Sequence, residues 1–120
     1  MSISERAGNK LAHVDRQVAA LKRHEKVIAR IGGYTTESKG EEIAFHERCR
    51  AVLAWAQNRS ASEVEAKVRE VEQSIPAADR AAVLAAKYGI VVGLPLEYVE
   101  AIRKIELLEV ALGTHPGVQR

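Results

Sequence analysis

Ser4 to Gly33 reads SERAGNKLAHVDRQVAALKRHEKVIARIGG, and the spacing of its apolar residues decides the fold class. Leu11, Val14, Val18, Leu21, Ile28 and Ile31 fall three, four or seven apart, the period that lines side chains along one face of an α-helix. Ser4 is placed to cap this helix, with Glu5 in the first turn, and Gly32-Gly33 ends it because glycine adopts positive φ without steric cost. At 1.5 Å per residue such a helix of about 27 residues is about 40 Å long. Its stripe is narrow, an a/d heptad with Glu25 interrupting one position, which suits a coiled-coil seam better than a broad face on a globular core. The expectation is a helix that pairs outside its own chain.

Working outward, the same period recurs with helix stops between. Ser38-Lys39-Gly40-Glu41 has the capping-box form and opens a second helix to about Asn58, whose inner face is Ile43, Phe45, Cys49, Val52, Leu53 and Ala56. After the break at Asn58-Arg59-Ser60, Ser62 to Glu65 has the same form and opens a third helix striped by Val64, Val68, Val71 and Ile75. Pro76 at the first helical position begins a fourth helix that runs to Tyr88-Gly89, and Gly89 is the expected left-handed cap. Ile90 to Leu94 reads as a short extended link. Pro95 then opens a fifth helix to about Leu112, stopped by Gly113 and Pro116. The fold expected is an all-α bundle of about five helices forming one domain over residues 1–120, with residues 1–3 and 114–120 as loose tails.

Composition agrees with helix on helix. There are 19 Ala but only one Phe, one Trp and three Tyr, and alanine favours helices and their close approach, whereas sandwiches and barrels lean on aromatic and β-branched residues. Leu, Ile, Val and Phe total 31 of 120 residues, enough for collapse into a single core. Eighteen Lys and Arg against sixteen Asp and Glu give a net +2, too little for a non-specific nucleic-acid or membrane-surface binder. Residues 1–32 carry seven basic and three acidic groups, so the first helix is the basic pole. Acidic residues are interleaved there, and one Phe and one Trp leave little for base stacking. A lone Cys49 makes no internal disulfide, and no apolar run reaches membrane-spanning length, so a cytoplasmic setting without membrane contact is expected.

The search for chemistry yields one constellation. Glu42, His46 and Cys49 stand at i, i+4 and i+7, along one side of the second helix. A structural zinc site needs four ligands and a di-iron bundle needs Glu-x-x-His on two helices, and neither is present, so no metal and no cofactor is expected. The serines fall at helix starts, where hydroxyls cap amides, and no nucleophile-elbow or phosphate-loop glycine pattern occurs. No catalytic residue is assigned, and the chain is expected not to be an enzyme.

Leu84 to Ile90, LAAKYGI, followed by a helix carrying Val99, Ile102, Arg103 and Lys104, resembles the helix-turn-helix of bacterial transcription regulators. Ala85 stands at its small position, Gly89 at its turn glycine and Ile90 at its apolar position, where the two helices cross closely. The resemblance implies DNA binding with Arg103 and Lys104 as contacts. The recognition half departs from the pattern: Val91, Val92, Leu94 and Leu96 stand where polar groups would read base edges, and Glu97 and Glu100 carry the wrong charge for phosphates.

The fifth helix is the most apolar segment, so either it sits centrally in the bundle, the plainer reading, or it is an oligomer interface; together with the first helix it holds more apolar surface than five short helices can cover. The leading expectation is therefore a protein-interaction or assembly module forming a homo-oligomer through Leu11, Val14, Val18, Leu21 and Ile28 of the first helix and Val99, Ile102, Ile105, Leu108 and Leu112 of the last. A DNA-binding regulator centred on residues 81–105 is the second reading. A metal- or small-ligand-binding bundle is the third.

Overall fold

A computed structural model describes residues 1–30 and 37–117, and every described element is helical: α1 (Ile3–Arg30), α2 (Glu37–Ala56), α3 (Ala61–Gln73), α4 (Ala77–Leu84) and α5 (Leu96–Leu112). The all-α bundle with a long first helix is the observed architecture. Gly32-Gly33 and Ile31 lie outside the described residues, as do the side chains of Ile28 and Ser38.

The last helix organises the rest. α5 packs against α1, α2 and α3, and its Ile102, Ile105, Leu108 and Ala111 are wholly enclosed. Around Leu108 and Ala111 gather Ala7 and Leu11 of α1, Leu53 and Ala56 of α2 and Val64 of α3. Alanines on three of these helices remove bulk at the crossing and let the backbones approach. Ile102 and Ala101 meet Ile75 and Val83 in a second cluster, while Leu107 and Leu21 flank Val14, Val18 and Ile43 in a third.

α1 and α2 run antiparallel: Lys22 pairs with Glu47 at 2.9 Å, Asp15 with Arg50, and the Ser4 hydroxyl donates to the Gln57 carbonyl. Leu11, Val14 and Val18 of the α1 stripe are buried within the chain, so this part of the seam is not free for the expected outside coiled-coil partner. A narrow stripe suffices because α2 covers one flank and α5 the other. The described fold is nonetheless open in outline, 49 × 36 × 21 Å, with an accessible surface of 7353 Å². Area scaling gives a compact chain of this mass roughly 6,400 Å².

Several helix ends fall one or two residues from their expected places, each for a local reason. Ser2, not Ser4, accepts from the Glu5 amide (3.1 Å), which frees the Ser4 hydroxyl for α2. Ser60, not Ser62, forms the capping box, accepting from the Glu63 amide while the Glu63 carboxylate accepts from the Ser60 amide. Ser38 already lies within α2, and Pro76 and Pro95 stand at the caps of their helices instead of the first helical positions. Gly113 takes the expected left-handed conformation, φ 78°.

Within the two expected tails some residues hold contacts. Ile3 is helical and packs against the core, and Thr114 and His115 donate backbone hydrogen bonds to the Glu109 carbonyl.

Candidate functional site

The residues expected to form an oligomer face are largely the bundle's own core. Leu11, Val14 and Val18 are buried, Ile102, Ile105 and Leu108 have no exposed surface, and Leu21, Val99 and Leu112 are partly covered. A partner could reach the buried six only by prising the bundle apart, so that assignment is corrected. Arg103 and Lys104 are also engaged internally. Arg103 donates to Glu106 at 2.6 Å and to the Gly89 carbonyl at 3.3 Å, and Lys104 pairs with Glu100 at 2.9 Å. Burial raises the Glu100 carboxyl, but hydrogen bonds from Lys104 and Arg48 outweigh it and hold the group below the usual range.

Between α4 and α5 the chain departs from the expected helix-turn-helix. α4 stops at Leu84, and residues 85–95 separate it from α5, where the motif joins its helices through a turn of three or four residues. Two turns of chain carry the backbone to Tyr88, which occupies the left-handed region at φ 69°; Gly89, the expected left-handed cap, does not. A side chain held there costs on the order of 1–3 kcal/mol and persists only where its surroundings enforce it.

The enforcement comes from α5. The buried Glu106 accepts from the Tyr88 amide at 2.7 Å, and Glu109 accepts from the Tyr88 hydroxyl at 2.7 Å. The His115 ring stands edge-on to the Tyr88 ring at 4.9 Å, and the Lys87 ammonium lies over it at 5.2 Å. Burial and the bond to Glu109 both push the Tyr88 phenol above its ordinary range. Arg103, bound to Glu106 and to the Gly89 carbonyl, locks the same corner from the other side.

What this corner launches is an apolar edge. From Gly89 to Leu94 the chain is without helix or strand partner, and Val91 and Leu94 turn inward onto the cluster around Ile102. Ile90 and Val92 turn outward, 93% and 84% exposed, and Leu96 follows at 54%. Among the described residues, no backbone N–H from Gly89 to Leu94 donates a hydrogen bond within the chain.

On the other side of Arg103 and Glu106 lies a cleft of about 430 Å³ between α1, α2, α5 and the segment after Gly113. Val14, Phe45, Leu107 and Val110 supply apolar wall, with Lys10, Gln17, His46 and His115 among the polar lining. Cys49 also lines it, and burial pushes its thiol up to about 11, so it is a neutral thiol at physiological pH. His46 and Cys49 thus share this cleft, whereas Glu42 borders a separate hollow with His46, Leu96 and Val99. Among the described residues no three His, Cys, Asp or Glu side chains gather as a metal ion requires. No described helix is long and apolar enough to cross a membrane.

The pinned corner and the exposed edge carry no signal in residue spacing, since both depend on Glu106, which lies 18 residues beyond Tyr88. No protein-family model, curated protein or solved structure matches this chain.

Proposed function

We propose that this protein is a non-enzymatic interaction module that self-associates through the exposed apolar segment Gly89–Leu94. One observation carries the reading: Ile90 and Val92 stand almost fully exposed on a backbone whose amides have no partner among the described residues. A segment with free amides gains main-chain hydrogen bonds when it straightens against another strand, while alternate side chains pack across the join. A second copy supplies a matching strand, uncharged from Tyr88 to Leu96, so that two such edges meet without like-charge repulsion. The strain held at Tyr88 supports the reading, because it sets the angle at which the edge leaves the bundle. The edge is short, and the association belongs with small, weak interfaces below about 1,200 Å².

Light scattering across a concentration series tests this. The expected result is a mass that rises from 13.2 kDa towards twice that value with concentration, and stays at 13.2 kDa in the double variant Ile90→Lys, Val92→Lys. Both side chains project into solvent, so the variant should melt within about 0.5 kcal/mol of the parent. A parent chain that remains a 13.2 kDa monomer throughout, or a double variant that associates as the parent does, would sink the proposal.

A further inference from the structure

We infer that the cleft between α1, α2 and α5 is a binding site for a small amphipathic monocarboxylate, a hydrocarbon or aromatic body ending in one carboxylate. This site stands apart from the edge Gly89–Leu94 and does not depend on self-association. The volume, about 430 Å³, falls within the roughly 300–1,000 Å³ typical of small-molecule sites. Val14, Phe45, Leu107 and Val110 offer an apolar body a place out of water.

The lining charges select the head group. Arg103 and Glu106 both face the cleft, and at 2.6 Å they neutralise one another. Lys10, half-buried on the α1 side of the cleft, has no ion-pair partner among the described residues. Among the described lining residues the Lys, Arg and Glu groups therefore leave one positive charge in surplus, with the His46 and His115 imidazoles beside them. Cys49 adds no negative charge, being held in its thiol form by burial. A monocarboxylate answers that surplus. A dianion would bring a second negative charge towards the Glu106 carboxylate, a cation would meet the Lys10 ammonium, and a neutral body would leave Lys10 without a partner.

Titration calorimetry with a matched series decides the matter: octanoate, 1-octanol, octylammonium and octyl phosphate, each against the whole chain. Octanoate should bind one to one, at least tenfold more tightly than the other three. Lys10→Met keeps the aliphatic stem and removes the charge; it should bring octanoate down to the affinity of 1-octanol while leaving 1-octanol unchanged. Val110→Trp fills the cleft and should abolish both, with the mass in solution following the same concentration dependence as the parent. The inference is overturned if octanoate fails to bind, binds no better than 1-octanol, is outdone by octyl phosphate, or is held as tightly by Lys10→Met. Lys10 is partly solvated and Lys10→Met should fold, so the result stands even where Val110→Trp does not.

Discussion

Leu108→Ala measures directly whether the stripe of α5 is core. The side chain has no exposed surface and touches residues from three other helices, in the cluster of Ala7, Leu11, Leu53, Ala56, Val64 and Ala111. Truncation removes its buried methyl groups and leaves a void, for a combined cost of about 2.7–5 kcal/mol at comparable sites. The upper part of that range applies here, because Ala7, Ala56 and Ala111 have no side-chain length with which to close the gap. For a domain of this size each kcal/mol lowers the melting temperature by about 4 °C, so a cost of about 4–5 kcal/mol should lower the melting point by about 16–20 °C. Urea and thermal unfolding in dilute solution, followed by circular dichroism, give the comparison. Ile90→Ala serves as the internal reference: with 93% of its surface already in water it should move stability by no more than about 0.5 kcal/mol. A Leu108→Ala cost below about 1 kcal/mol, or equal costs for the two variants, would refute the placement of α5 at the centre of the bundle.

Two further outcomes follow from particular contacts. Gly113→Ala should destabilise the fold by more than about 1 kcal/mol in thermal unfolding, because φ is 78° and a Cβ there would meet the Arg6 guanidinium at 3.1 Å. The Glu100 carboxyl is held below its ordinary 4.5 in the fold, so its contribution is present above about pH 4.5 and lost as pH falls through the lower folded value; Glu100→Gln should flatten that part of the stability–pH curve.

Much of the architecture was legible because helices announce themselves by period. The stripe Ile102, Ile105, Leu108 marked the most apolar helix, and Gly113 marked its end, both as observed. The capping box slipped by two because Ser60-x-x-Glu63 and Ser62-x-x-Glu65 satisfy the same pattern, and only the chain's approach to α3 selects the first. Surplus apolar surface was misplaced for a deeper reason. Periodicity counts the apolar residues on a helix without saying which neighbour covers them, so the stripes of α1 and α5 seemed uncovered when they cover each other and α2. The most exposed large apolar side chains are instead Ile90 and Val92, whose outward direction is not legible in the sequence because the turn before them depends on Tyr88 and distant Glu106.

The central position of α5 also constrains the order in which this protein can assemble. α1, α2 and α3 all close on the last helix, so a nascent chain that has emerged only as far as residue 95 can pair α1 with α2 but leaves uncovered the apolar faces that Ile102, Ile105 and Leu108 enclose. At translation rates of about 5–20 residues per second that unfinished state lasts on the order of a second beyond the synthesis of α4. Completion of the core is in this sense deferred until α5 has been made, and truncation within 96–112 should strongly destabilise the bundle by removing the surface on which α1, α2 and α3 meet.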